Sequence, residues 1–287
     1  MASTGTTAEG GVADLIRHPW NRDFDWVTSP PPHAWLTDDQ VEQFDSDGFV
    51  VVPEVFAVAE IAEVVAEIDR VELEVEAFLR NQQDGRFTIA EAGAITFSTH
   101  LVNRSERLRA FSRHPFFAGV CSDLIGPDVN LYWDQGVYKK PEKPRRFPWH
   151  QDNGYAFVEP QQYLTCWVAL TDATEENGCP QVARGLHRMG TLTHRYVDPL
   201  GFECLSDPDD VAVAEVGAGG VVVFSSLTPH LTGPNRTDAV RKAYILQYAP
   251  VGATVLQGDP AHEPTALVPA DAPDRQYPIL RDGEPVA

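Results

Sequence analysis

The feature that most constrains this fold is a change of hydrophobic period near residue 129. Before it, apolar residues recur at helical spacing; after it, short β-branched and aromatic runs alternate with turn signals. The stretches Val129 to Lys140, Tyr163 to Leu170, Val211 to Val216, Gly220 to Ser225 and Arg241 to Tyr248 read as strands. Asn177-Gly178, Gly217 to Gly220 and Gly233-Pro234-Asn235 punctuate them. Helices first and short strands afterwards predict a mainly β fold with flanking helices, a β-sandwich or jelly roll buttressed by helices.

The helical part opens with a capping box, Thr37 with Gln40, and its first helix should end near Gly48. Phe49 to Val52 is a β-branched run stopped by Pro53. Val58, Ile61, Val65, Ile68, Val75, Phe78 and Leu79 then fall at helical spacing, with Glu60, Glu63, Glu67 and Glu74 between them, which predicts a long amphipathic helix. Ser105 caps a further helix carrying Leu108 and Phe111, interrupted by Pro115. Residues 1–36 are expected to form an irregular arm, held to the body by Trp20, Trp26 and Trp35. Residues 37–258 are expected to form a single domain, and 259–287, rich in Pro, Asp and Ala, an irregular tail.

A formal net charge of −20 repels phosphates and anionic lipid, so neither nucleic acid nor membrane is expected as a partner. Cys121, Cys166, Cys179 and Cys204 form no C-x-x-C pair and read as reduced thiols. Met1 to Asp14 lacks the basic start and apolar stretch of a secretion signal, and no run approaches the length of a membrane span. A cytoplasmic protein acting on a small molecule is the expectation; oligomeric state is not legible.

Chemistry first shows at Pro148-Trp149-His150-Gln151-Asp152-Asn153-Gly154-Tyr155. A His-x-Asp pair in extended chain places two ligands on one side, because side chains repeat with period two. With a distant histidine it makes a facial triad that leaves metal positions open. Alone the pair is weak, since a chain with these numbers of His and Asp holds on the order of 0.5 such matches by chance. Further on, the apolar run Val221 to Phe224 leads to His230 and Thr232, and Arg241 follows His230 by eleven residues. A hairpin would bring ligand and guanidinium to one wall, with the Arg fork matched to a carboxylate and the Thr232 hydroxyl beside it.

Other residues have two readings each. Lys139, Lys140, Lys143, Arg145 and Arg146 either attract an anionic substrate or form a solvated loop, with one of Lys139 and Lys140 facing inward. His187 and His194 either approach the site from a lid or are ordinary histidines. Tyr155 and Phe157 either wall the substrate pocket or belong to the core.

From Leu36 to Pro250 the sequence resembles the phytanoyl-CoA dioxygenase family. The likeness rests on Leu36-Thr37-Asp38 to Phe49-Val50-Val51-Val52, on Tyr138-Lys139-Lys140-Pro141 with Trp149-His150-Gln151-Asp152, and on Cys166 to Leu170 followed by Glu176-Asn177-Gly178-Cys179. His230, Thr232 and Arg241 close the pattern at the family's spacing. The resemblance implies a double-stranded β-helix (jelly roll, cupin-like) core, Fe(II), 2-oxoglutarate and O2 as co-substrates, and oxidation of an unactivated C–H bond. It implies iron ligation by His150, Asp152 and His230, with Arg241 and Thr232 on the distal carboxylate of 2-oxoglutarate and Trp167 lining its pocket. The retained Asp152 disfavours halogenation. Ala183-Arg184-Gly185-Leu186-His187 departs from the family's Pro-Gly-Ser-His-like stretch, which bears on substrate contacts. The competing readings are a hydroxylase of CoA thioesters, an idle scaffold on the same fold, and a zinc hydrolase using the same ligands.

Overall fold

Thr37 and Gln40 exchange hydrogen bonds around the first turn of α1 (Asp38–Asp47): each side chain accepts from the other's backbone N–H. Gly48 ends the helix in the left-handed region, at φ 86°, and the chain enters the strand Phe49–Val52 at once. The computed structural model describes residues 15–286; the polar start Met1 to Asp14 lies outside them.

Helix α2 (Val58–Arg80) forms where the spacing predicts it, but its buried face is rotated from the expected one. Ile61, Val64, Ile68, Val71 and Leu79 are buried, whereas Val58 and Phe78 are exposed. Glu72 and Glu76 explain the shift. Both are buried because Lys140 lies against them, with Nζ 2.6 Å from Glu72 and 3.8 Å from Glu76. Ser105 caps α3 (Glu106–Phe111) as expected. Pro115 does not merely interrupt: it is the first residue of α4 (Pro115–Leu124), where a missing N–H costs no hydrogen bond.

Two of the four antiparallel sheets among the described residues build the core. The larger, ten-stranded sheet runs Phe49–Val52, Val221–Ser225, Leu164–Ala169, Arg241–Pro250, Val129–Lys139 and Ile95–Thr99, with short strands beyond. The smaller contains Val211–Val213, Pro180–Ala183, His230–Thr232 and Phe147–His150, in that order. Side-chain parity divides the large sheet's two faces. Cys166, Val168, Val223, Tyr244 and Leu246 pack toward the helices, with Ile61, Ile68, Phe111 and Phe117. Trp167, Ala169, Val222, Phe224, Ala243 and Ile245 pack the other way, with Phe147, Val182 and Ala212 of the small sheet. Two facing sheets with helices on the outer face of one are the jelly-roll core the sequence predicts.

Two expectations about the ends meet different outcomes. The arm does pack: Trp20 is buried edge-on to Phe157 and donates from Nε1 to the His262 carbonyl at 2.7 Å, while Trp35 is half exposed with its ring against Gly119. The tail beyond Gly258 is not irregular as expected. It contains the strands Ala266–Pro269, Pro278–Arg281 and Glu284–Pro285, and the middle one pairs with Val129–Lys139. Tyr277, Ile279 and Leu280 are core residues there, so burial overrides the Pro- and Asp-rich composition. All four cysteines are free. Among the described residues no helix is long and apolar enough to cross a membrane.

Candidate metal and co-substrate site

His150 ends the strand Phe147–His150, and its Cα partner across the ladder is His230. Gln151 is extended (φ −105°, ψ 144°), and Asp152 starts a single 3₁₀ turn, Asp152–Gly154. The pair is thus extended through its middle residue only, yet both side chains reach one point. One ligand atom from each of His150, Asp152 and His230 lies within 4.8 Å of the others. The Asp152 Oδ1 stands 3.8 Å from His150 Nε2 and 4.0 Å from His230 Nε2.

Neighbouring carbonyls orient both rings. Nδ1 of His150 lies 2.9 Å from the Pro148 carbonyl, and Nδ1 of His230 lies 3.0 Å from that of Thr228. Each Nδ1 therefore carries the proton and each Nε2 presents a lone pair to the common point. Burial first, and the adjacent His230 second, hold His150 well below its ordinary pKa, which keeps the ring neutral. The Thr165 hydroxyl donates to Asp152 Oδ2, leaving Oδ1 for a metal.

Behind the triad, Gln151 is fully buried. Its amide donates to the carbonyls of Gly190 and Leu227 and accepts from Leu192 N. His194 accepts the Gln151 N–H at Nε2 (3.0 Å) and sets Nδ1 on the Leu192 carbonyl (2.9 Å). Its ring lies so close to Gly154 that a Cβ there would come within 2.0 Å of it. His194 therefore fixes the backbone between the ligands; it is neither a lid residue nor an incidental one. His187 sits elsewhere, buried against Trp26 and bonded to the Asp45 carbonyl.

Arg241 and His230 are not joined by a hairpin. His230 belongs to the small sheet and Arg241 to the large one, so the intervening loop crosses between the sheets. Parity with Ala243 and Ile245 turns Arg241 to the inter-sheet side, where its guanidinium lies 5.0 Å from the centre of the Trp167 ring. It is 1% exposed, and none of its three side-chain nitrogens has a hydrogen-bond partner. Burial lowers its pKa to about 9, so it remains cationic at neutral pH. A buried cation with no acceptor is costly unless an anion completes it, which fits a co-substrate carboxylate. Thr232 is buried on the same strand as His230, but no hydrogen bond joins it to Arg241 among the described residues; its carbonyl accepts from Lys139.

Lys139 is the inward-facing member of the basic cluster and stands opposite Arg241 in the ladder. Its ammonium donates to the carbonyls of Thr232, Gly233 and Arg145, tying the crossing loop to the large sheet. Burial, then the charges of Arg241 and Arg145, push its pKa well below the ordinary lysine value. Gly178 lies under the same loop with φ 85°, where an added Cβ would meet the Gly233 carbonyl at 2.3 Å. The other cations of this partly exposed loop are engaged by carboxylates of the protein itself. Lys143 and Arg145 both pair with Glu91, and Arg146 pairs with Glu203.

His150 and Asp152 also line a cavity of about 610 Å³ that opens past the end of α2. Tyr155 belongs to its wall, while Phe157 is core, packed on His18 and Trp20. Phe78, read from its spacing as part of the buried stripe of α2, is instead half exposed and lines this cavity. Nothing local in the sequence marks Lys139 or His194, whose partners lie in distant strands and loops.

A jelly roll that joins two imidazoles and a carboxylate at one point, with an unpaired arginine facing the inter-sheet core, defines the class of 2-oxoglutarate-dependent non-haem iron oxygenases. Within that class the chain belongs to the phytanoyl-CoA dioxygenase (PhyH) family, whose profile matches residues 44–243. It is 25% identical over 234 residues to an ectoine dioxygenase of Bordetella parapertussis, covering 74% of this chain and 75% of that protein. It is 28% identical over 228 residues to a methylphosphonate hydroxylase of Gimesia maris, covering 74% and 80%. Among solved structures, EvdO2 from Micromonospora carbonacea var. aurantiaca complexed with 2-oxoglutarate is 25% identical, with a TM-score of 0.58 over 77% of this chain and 96% of that one. The carbocyclase SnoK from nogalamycin biosynthesis shares the fold at a TM-score of 0.68 and 20% identity, over 86% and 99%.

Proposed function

We propose that this enzyme hydroxylates an unactivated C–H bond of a small organic molecule, with 2-oxoglutarate and O2 as co-substrates and succinate and CO2 as products. His150, Asp152 and His230 hold Fe(II); Arg241, with Thr232, takes the distal carboxylate of 2-oxoglutarate over Trp167. Iron bound there supplies the activation of O2 and couples it to decarboxylation of the 2-oxo acid. The chain's own residues orient and protect that chemistry. Pro148 and Thr228 fix the imidazole tautomers, Thr165 fixes the carboxylate, and the two packed sheets keep water from Arg241.

The observation that carries the reading is the buried guanidinium without an acceptor in the same fold as the triad. A zinc hydrolase or an idle scaffold leaves that charge without purpose. The experiment is an anaerobic titration of the metal-free chain with Fe(II) and 2-oxoglutarate, following the visible charge-transfer band of the chelate. The band should appear in the wild type, vanish in Asp152→Ala and weaken in Arg241→Met. Its absence from folded wild type sinks the oxygenase reading.

A further inference from the structure

We infer that the substrate is an uncharged, largely apolar molecule, held by shape and aromatic contact rather than by ion pairing; this rests on the oxygenase reading and names its substrate class. The cavity at the triad, about 610 Å³, is in the size range that takes drug-sized molecules. Phe78 and Leu79 of α2 and Phe87 and Ile89 of the facing hairpin line it, and Phe97, Trp133, Phe147 and Tyr155 continue the wall. No lysine or arginine is among the lining residues, and the sole carboxylate there is Asp152. Gln135, Gln247 and Thr99 contribute neutral polar groups only. Arg241 is not among the lining residues either, so the anchor for the co-substrate does not serve the substrate.

Nearby charges are spent on the protein itself. Arg145 bonds Glu91 at 2.9 Å and donates to the Ile89 carbonyl at 2.5 Å. Lys143 lies 3.2 Å from Glu91, Arg146 lies 2.9 Å from Glu203, and Arg80 bridges Glu76 and Glu142. A carboxylate, sulfonate or phosphate entering the cavity would lose its water without gaining a counter-charge. A cation would find aromatic faces but no free carboxylate, since Asp152 accepts from Thr165 at Oδ2 and turns Oδ1 to the point it shares with the two imidazoles.

The rim agrees. Phe78 and Phe87 are 48% and 56% exposed and stand edge to face with centroids 5.6 Å apart. Large exposed aromatics beside a cavity are what an apolar molecule covers as it enters.

The test uses three probes on one skeleton: 2-naphthalenemethanol, 2-naphthoate and 2-naphthylmethylammonium. Their binding is measured by calorimetry on the full chain with Fe(II) and saturating 2-oxoglutarate under argon, and again on metal-free chain. About 0.5 M NaCl screens the chain's net charge. The alcohol should bind at least about tenfold tighter than either ion. Phe78→Ala and Phe87→Ala, both at half-exposed positions, should each weaken it roughly three- to tenfold. Equal or tighter binding of either ion overturns the inference, as does alcohol binding indifferent to both substitutions. The charge-transfer band read in the same samples separates this failure from failure of the oxygenase reading, because the metal-free titration tests the cavity without iron.

Discussion

Replacing Arg241 with methionine should move folding stability and co-substrate affinity in opposite directions. Methionine follows the aliphatic stem of the arginine, stops short of the guanidinium over Trp167, and removes a charge that has no acceptor. Burial lowers the guanidinium pKa from 12.5 to about 9. At 1.36 kcal/mol per pKa unit this is roughly 5 kcal/mol against the charged form. The Trp167 face, worth about 1–2 kcal/mol to a desolvated cation, is lost with the charge. With about 1 kcal/mol more for the gap the shorter side chain leaves, the metal-free variant should be more stable than wild type by about 2–3 kcal/mol in urea unfolding. Meanwhile the loss of a buried charge pair with the distal carboxylate costs about 2–5 kcal/mol of binding, at least about a thirtyfold rise in Kd. A 2-oxoglutarate concentration that stabilises loaded wild type by about 2.7 kcal/mol should stabilise the variant by less than about 1 kcal/mol. A variant less stable than wild type without ligand, or equally stabilised by 2-oxoglutarate, refutes the assignment of Arg241 as a preformed anion anchor.

Gly178→Ala should cost about 2–4 kcal/mol in urea unfolding, because φ 85° is strained for alanine and its Cβ meets the Gly233 carbonyl. His194→Phe leaves the Gln151 N–H without an acceptor and should weaken Fe(II) binding about tenfold or more, measured by metal competition. Burial pushes the His187 pKa from 6.5 down to about 4. The unfolded chain therefore binds a proton between pH 6.5 and 4 that the folded chain refuses. The contribution of neutral His187 is present above pH 6.5 and falls away by roughly 3 kcal/mol on acidification toward pH 4. His187→Asn should flatten the loss of stability between pH 7 and 5; an unchanged slope counts against it.

What was legible in the sequence is what depends on near neighbours. The Thr37–Gln40 box, the Ser105 cap and the alternation of Cys166 to Ala169 each need only a few consecutive residues. The three residues that meet at the candidate metal site were also readable, because His-x-Asp is local and His230 follows an apolar strand. Contacts set by the meeting of distant segments were not. Lys140, just past the end of the distant strand Val129–Lys139, rotates the buried face of α2. Arg241 reaches Trp167 across a sheet rather than His230 across a hairpin. Short strands such as Pro180–Ala183 and His230–Thr232 exist because facing strands complete their hydrogen bonds, not because their own residues demand it. Pro115 and the tail failed as signals for a related reason: a residue that ends one element can begin another, and burial can order a polar stretch.

The strand Pro278–Arg281 has a consequence for how the protein is made. It pairs with Val129 and Asn130, about 150 residues earlier, and brings Tyr277 under Arg109 and Arg113. On the ribosome, His150, Asp152, His230 and Arg241 all emerge before it does. Until residue 281 clears the exit tunnel, the nascent chain carries an open sheet edge beside an uncovered patch of core. The candidate site is thus encoded early, while a segment that pairs with the large sheet is translated after it. Trimming the chain near residue 258 should leave the ligands in place and yield aggregate, with quality control rather than catalysis deciding its fate.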